Sequence, residues 1–574
     1  MKRILIAAVA AALLWVSFSG GNTGCGSGAE PPPVPQLKVT VLDKAAAPMS
    51  GAFVMLGIDP ATEFQGTTDA SGQITFTDED LGATQTITAG KDGYRNYTIV
   101  GVTATDVKIV LNEIDRLHGY INASIDPATW DPIALDNCPA FPAPPCFVRF
   151  AWVQIPTDDV TYSQDLTDCA ECLGQSPFII PVNPAQAQKK APAFLDQTRA
   201  VAVAGTLDLS TFIFSFEKYG IQNFSIDATN TAANPKDVMI PLAYTLGDDA
   251  AVTISVLDQS PSGLSSMYAL FNVDMPNIGF NFVGVVIAGN ALSGTRISDF
   301  SYRFRGLNSD AVAAAGGDLT DASYLILGGL SNAEGSAQSY YVDRLNFSNA
   351  PQAFDVQSLL PSMSGVSPTN NGVIDPTGTA FSWNEIQGAT FYNSSLSTLY
   401  LNGTDQGSKN IWQVLIPPGT NTFTLPVFPS GTLTGLQACQ VYKWEVDGVA
   451  PTGFNYEDGN FSGIYNLLFG HLPFSMSTSM QTLFTSGTGC GPIISAIAPV
   501  EGAAGDQVTI SGMYFGPAQG ASTVLFDATP AAVTAWSDTS ITVGAPAGFI
   551  VDQVATINVT VGGQISNAAY FVYR

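Results

Sequence analysis

An all-β architecture of serial β-sandwich domains is the fold class this sequence predicts, on three observations. Turn-forming residues are dense throughout, with 55 Gly and 36 Pro in 574 residues. Between them lie short runs in which apolar and polar residues alternate, the period of a strand with one buried face, while sustained helical periods are scarce. Length then sets the count: at about 100–200 residues per domain, the chain has room for roughly three to five.

The N-terminus reads as an export signal. Lys2 and Arg3 precede an apolar stretch from Ile4 to Phe18, the pattern of a cleaved secretory segment rather than a structural helix. Cys25 follows, and Asn22-Thr23-Gly24-Cys25 resembles the site at which bacterial lipoproteins are cut and acylated. That resemblance implies a lipid anchor at Cys25. The run departs from the family pattern in two ways: Asn22 stands where an aliphatic residue is usual, and Ser19 to Gly24 lengthen the gap after the apolar stretch. Ordinary cleavage, for example after Ser17-Phe18-Ser19, would instead leave Cys25 as a spare thiol. Residues 26–36, with Pro31, Pro32, Pro33 and Pro35, suit neither helix nor sheet interior, so they form a tether reaching roughly 30 Å at about 3.1 Å per residue.

Setting Cys25 aside from the seven cysteines leaves an even six: Cys138, Cys146, Cys169, Cys172, Cys439 and Cys490. In an exported chain these are disulfide candidates, with proximity favouring pairs within the first four and, separately, Cys439 with Cys490. The rival for the first four is a zinc site, which has the ligand type without two short-spaced knuckles. A redox role for Cys169 and Cys172 is opposed by Asp168 and Glu171, which disfavour a thiolate.

The formal net charge of -27 falls by two more when Lys2 and Arg3 leave with the signal. Such a surface repels phosphate backbones and excludes nucleic-acid binding. Beyond the signal, no apolar run of about 18 residues is free of strongly polar side chains. Phe280 to Ile287 comes nearest, but Asn281 interrupts it, so it reads as buried strand.

Residues 37–112 alternate as a small sandwich does: Leu37, Val39 and Val41, then Ala52, Val54 and Leu56, then Ile74 and Phe76, then Val107, Ile109 and Leu111. Pro48 before Gly51-Ala52-Phe53-Val54, the Thr68-Asp69-Ala70-Ser71-Gly72 turn and Lys91-Asp92-Gly93-Tyr94 give the segment a close resemblance to the carboxypeptidase regulatory-like, transthyretin-like family. The resemblance implies a seven-stranded accessory domain; the family's zinc peptidase domain is not in this sequence, and no catalytic residue carries over. Residues 113–365 resemble no family. Phe147 to Val153, Phe212 to Phe216, Val238 to Leu242, Met267 to Val273, Phe300 to Phe304 and Tyr340 to Phe347 suggest strands, Asp310 to Gly316 a short helix, and a division near 235 two domains.

Residues 366–489 resemble a fibronectin type III domain through Phe381-Ser382-Trp383, Phe391-Tyr392, Leu425-Pro426 and Tyr442-Lys443-Trp444-Glu445-Val446. After Val446 roughly forty residues precede the expected last strand near Met480 to Thr485, a stretch suited to a long binding loop. Residues 490–574 resemble the IPT/TIG immunoglobulin-like family through Ile497-Ala498-Pro499, Gly502 and Gly505, Val508-Thr509-Ile510-Ser511-Gly512, Phe515-Gly516 and the closing Phe571-Val572-Tyr573. Gly512 fits a bulge or bend in its strand. The family implies a spacer or interaction module.

Catalytic motifs are lacking. The two histidines, His118 and His471, fall in different expected domains, and no nucleophile elbow, zinc-protease helix, phosphate loop or spaced-aspartate calcium loop occurs. Carboxylates suffice for glycoside hydrolysis, but solvation explains most acidic residues on such a surface. Asp227 to Asp237 offers oxygen ligands for structural Ca2+ without diagnostic spacing; no other metal or cofactor is expected. Arg303 and Arg305, two apart on one strand face, are candidates for an acidic ligand, with pairing to the protein's own acids as the alternative. Trp130, Trp152 and Trp412 are candidate sugar-stacking faces, whereas Trp383, Trp444 and Trp536 fall at core positions; packing is the default for all six.

The function these features predict is that of an exported lipoprotein of the outer membrane or cell surface, alternatively periplasmic or secreted. It would bind a glycan or protein, or display its modules, without catalysis. The alternatives are a polysaccharide-active or carbohydrate-binding protein with its site in 113–365, and a purely structural envelope or matrix component.

Overall fold

Alternation becomes strand wherever it was read, because a buried pleated face rewards period two and the Gly, Pro and Asn positions between runs turn the chain. The computed structural model describes residues 34–79, 81, 84–114, 118–130, 147–155, 178–179, 188–195, 199–208, 213–257, 264, 266–275, 279–288, 299–315, 317, 319–332, 336–356, 359–402, 405–461, 473–551 and 553–574. These residues are nearly all β, with one short α-helix, Ser309–Ala315, whose first free amides at Asp310 and Ala311 are both taken by Asn308 Oδ1 at 3.1 Å. Among the described residues no helix is long and apolar enough to cross a membrane.

A 13-stranded sheet forms the spine of the molecule. It begins in the central region with Gly279–Ala288, Ser266–Met275, Ser323–Ser331 and Ala337–Leu345, and continues through Phe474–Thr485, Val441–Pro451, Phe391–Asn402 and Asp405–Ile416. It then runs on into Asn96–Val102, Gln85–Gly90, Phe53–Leu56 and Gln65–Thr67 of the first module, while Gly372–Ile374 pairs beside Phe474–Thr485. Two ladders cross the expected module boundaries: Trp412 to Leu415 pair in parallel with Asn96 to Ile99, and Ala337 to Val342 pair antiparallel with Phe474 to Ser479. The modules are serial in sequence but share one sheet.

Among the described residues, seven strands fall within 36–111. Three of them, Gln73–Thr77, Gln36–Asp43 and Asp106–Leu111, form a separate sheet laid on one face of the spine. Val39, Val41, Val107 and Ile109 there share a core with Phe391, Leu415, Val449, Phe474 and Met476 of the spine. The opposite face of the spine carries two further cores. One surrounds Trp383, Tyr392, Trp412 and Trp444. The other joins Phe271, Tyr324 and Ile326 to Phe150, Val201, Val203, Val252, Ile254 and Val356.

That last group belongs to a seven-stranded sheet of the central region, built on Phe147–Gln154, Arg199–Asp208, Ile213–Asn223, Tyr244–Leu257 and Asp299–Leu307, with Phe178–Ile179 at one edge and Gln352–Val356 along Tyr244–Leu257. A three-stranded sheet, Gln188–Phe194, His118–Ile125 and Lys236–Ile240, covers the Phe147–Gln154 and Arg199–Asp208 half of its outer face, through Ala151, Ala200, Ala202 and Ala204 against Ile121 and Ile240. Residues on both sides of 235 therefore build the same cores, and His118–Ile125 pairs directly with Lys236–Ile240.

The stretch after Val446 is a correction to the long-loop expectation. Its strand runs on to Pro451, and Tyr456–Asp458 forms a 3-10 turn seated under the first module, where the Tyr456 hydroxyl donates to the carbonyls of Val100 at 2.8 Å and Leu415 at 3.0 Å. The Lys108 amide donates to the Gly459 carbonyl at 3.0 Å. Residues 447–461 serve as an internal brace; 462–472 lie outside the described residues.

At the C-terminal end, two sheets of four and six strands enclose Val508, Ile510, Phe526, Ile557 and Phe571. The ladder between Ile493–Ala498 and Gln507–Met513 shifts register between Ile494 and Ala496, opposite Gly512. A Cβ at Gly512 would lie 2.0 Å from the Ile493 carbonyl oxygen, so only glycine permits that approach.

Candidate functional site

Among the described residues, nothing covers half of the central sheet's outer face, and this half holds the two arginines singled out above. Arg303 and Arg305 point outward from Asp299–Leu307, while Phe304 turns inward, its ring centroid 5.3 Å from Phe271. On the neighbouring strand the ladder passes from Gly247 paired with Gly306 to Val252 paired with Phe304, so Asp248 to Ala251 loop out opposite the single residue Arg305. Gly306 makes room for this bulge, since a Cβ there would lie 1.9 Å from the Ala250 carbonyl oxygen.

The bulge places Asp248 beside both guanidinium groups. Arg303 Nη2 donates to the Asp248 carbonyl at 2.7 Å and its Nε lies 3.7 Å from Asp248 Oδ1. Arg305 Nε lies 3.7 Å from Asp248 Oδ2, and its Nη1 lies 3.8 Å from Glu217 Oε1. Pairing with the protein's own acids is thus the arrangement adopted. The Asp248 side chain is 67% exposed and that of Arg303 49%, so the long ion pairs contribute only about 0–1 kcal/mol, and the short bond to the Asp248 carbonyl is what fixes Arg303. Below them run two rows set by register, Arg303–Thr253–Ala353 and Ser301–Ser255–Asp355, with the Ser255 and Ser301 hydroxyls 3.3 Å apart. Sequence reading found the arginines but missed Asp248 and Glu217. The signal for Asp248 was Gly247-Asp248-Asp249, a polar break inside an otherwise apolar strand.

A second concave feature is an open depression of about 550 Å3 at the ends of Ile213–Asn223 and Lys236–Ile240, lined by Gln222, Asn223, Ser225, Lys236, Asp237 and Met239. Asn122 Nδ2 donates to Asp237 Oδ1 at 3.0 Å, and Met239 is 58% exposed.

Two of the three candidate tryptophans prove to be core. Trp412 is buried, its Nε1 donates to Thr98 Oγ1 at 2.9 Å across the joint with the first module, and its ring stacks on Phe428 at 4.9 Å. Trp130 is buried beneath the three-stranded sheet. Trp152 is half-buried against the central core. Trp383 and Trp444 are buried, as expected, while Trp536 is half-buried with its Nε1 donating to the carbonyls of Phe515 at 3.2 Å and Gly516 at 3.1 Å.

The Asp227 carboxylate accepts from the Thr229 amide at 2.8 Å and from its hydroxyl, and these bonds, the hydroxyl first, hold its pKa below the usual range. Among the described residues no three His, Cys, Asp or Glu side chains gather as a metal site. Cys439 and Cys490 are bridged. Cys25, Cys138, Cys146, Cys169, Cys172 and His471 lie outside the described residues. His118 packs edge-on to Tyr120 at 5.5 Å.

No curated protein matches the chain. Among solved structures it is similar to a γ-CGTase from alkalophilic Bacillus clarkii (16% identity, 43% of this chain and 24% of that one, TM-score 0.15). It is also similar to SGBP-B of the Bacteroides ovatus mixed-linkage glucan utilization locus, in complex with a mixed-linkage heptasaccharide (11% identity, 56% of this chain and 65% of that one, TM-score 0.14). A third is the biofilm-associated protein BSP domain (9% identity, 96% and 99%, TM-score 0.14). The chain thus spans less than two thirds of the first two of these relatives. The IPT/TIG family matches residues 492–573, the segment whose Gly512 bulge and paired sheets are described above. Residues 492–573 are therefore an IPT/TIG domain, in a chain whose described residues are nearly all β.

Proposed function

We propose that the protein is an exported, lipid-anchored surface protein that holds a polysaccharide-binding face on a rigid β-framework and does no chemistry on what it binds. The observation that carries this reading is the outer half of the central sheet that none of the described residues covers. There Ser301, Arg303, Thr253, Ser255 and Asp355 lie on fixed strands and alternate hydroxyl, guanidinium and carboxylate groups over a flat surface. Such a surface hydrogen-bonds hydroxyl-rich chains, and arginines in weak ion pairs can exchange the Asp248 carboxylate for a uronate or sulfate. Binding sites on strands keep their geometry better than sites on loops, and the shared spine supplies that support.

Rigidity is argued at the C-terminal joint too. The Cys439–Cys490 bridge, the apolar contact of Val441, Phe484 and Ile493, and the bond from Gln564 Nε2 to the Gly489 carbonyl at 3.2 Å tie the IPT/TIG domain to the fibronectin-like region. The test is retention of the purified chain on immobilised neutral and acidic polysaccharides. Retention lost in the Arg303→Ala, Arg305→Ala double variant, with the fold intact, supports the reading. Retention unaffected by that change, or release of shortened chains, overturns it. The mass of the mature N-terminus tests the anchor: acylated Cys25 is expected.

A further inference from the structure

At the centre of the spine, three buried polar side chains form a line across adjacent strands. Gln413 Nε2 donates to Asn393 Oδ1 at 2.9 Å, and Asn393 Nδ2 donates to Asp447 Oδ2 at 3.0 Å. Asp447 is 4% exposed and stands in register between Asn393 on one side and Thr478 on the other. Asp447 Oδ1 and Thr478 Oγ1 each lack a hydrogen-bond partner. A hydroxyl can donate as well as accept, so the two atoms can meet in one hydrogen bond, but a hydroxyl alone leaves the carboxylate charge buried.

A proton on the carboxyl removes that charge. Bound at Oδ1, it lets the carboxyl donate toward the Thr478 hydroxyl, which then accepts. Glu445 favours the protonated state, whereas the bonds from Thr478 and Asn393 and the charge of Lys443 oppose it. Glu445 lies two residues away on the same side of the strand, and the neighbouring cation, Lys443, is drawn to Glu445 at 3.3 Å. Tyr340, from Ala337–Leu345, and Tyr268, from Ser266–Met275, add only neutral hydroxyls, held neutral by burial. Tyr97, in register with Gln413 in the first module, is likewise buried and neutral.

We infer that Asp447 is a proton-loaded pin: protonated, it holds its place in the line Gln413–Asn393–Asp447–Thr478, which binds the first module's joint to the centre of the spine, without a buried charge, and opening of this joint releases the proton. Burial first, and then Glu445, push the Asp447 pKa up to about 8. The sign follows: a folded-state pKa above the unfolded value makes the native sheet bind more protons, so its stability is full below about pH 4 and declines as pH rises to about 8. Rising pH therefore loosens the joint, and acid tightens it.

Hydrogen-exchange mass spectrometry on the full chain tests this, reading protection factors in peptides covering 441–451 and 474–485. For each pH unit between roughly pH 5 and pH 8 the wild-type opening constant should rise about tenfold relative to Asp447→Asn, then level off. Asparagine keeps the acceptor for Asn393 and supplies a permanent donor for Thr478, so this variant should fold. Should it not, Glu445→Gln reads the same device, because removing the like charge moves the levelling point to lower pH. Identical profiles for wild type and D447N, or a levelling point unmoved in E445Q, would overturn the inference.

Discussion

Gly512 shows how much one residue can decide. Its missing Cβ lets two strands of the IPT/TIG domain meet with the Ile493 carbonyl where a side chain would stand, and its role was legible because the glycine interrupts a strictly alternating run. Gly512→Ala should destabilise the domain by about 2–4 kcal/mol, measured by denaturant unfolding. Trp412 shows the opposite case. Alternation placed it on a strand face but could not say what covers that face, since its indole partner, Thr98, is 314 residues away in sequence. Trp412→Ala should cost about 3–5 kcal/mol by the same measurement, whereas replacement of a sugar-stacking residue would leave stability nearly unchanged. Arg303→Ala should fall within about 1 kcal/mol of wild type, because its ion pair is exposed and long.

At the scale of elements, local signals carried the reading wherever partners are near in sequence. The Asn308-capped helix lies within one residue of its expected start, and the strands of the IPT/TIG domain follow its turn glycines. What could not be read was pairing between distant strands: a period of two names a strand and its buried face, but not its neighbour. The parallel ladder between Asn96–Val102 and Asp405–Ile416, and the brace at Tyr456, therefore appear only in three dimensions. The disulfide could be read, since two cysteines bracket the boundary between two recognisable segments. Cys490→Ser should lower stability by about 2–4 kcal/mol and raise hydrogen exchange on both sides of the joint, in 438–441 and 487–493.

For the whole molecule, the shared spine makes one framework of the first module, the central region and residues 366–489, which rest on one another's faces. Those regions should unfold together in calorimetry, since separating them exposes Phe391, Leu415, Val449 and Phe474. The proposed binding function rests on what this framework holds outward, the polar half-face around Arg303, Thr253 and Ser255, and the most direct measurement is made there. Purified chain and its Arg303→Ala, Arg305→Ala variant are passed over immobilised polysaccharides while the eluate is assayed for shortened products. Retention by the wild type, loss of retention by the variant and no shortened product is the result expected; turnover of the polysaccharide, or equal retention of both proteins, would contradict it.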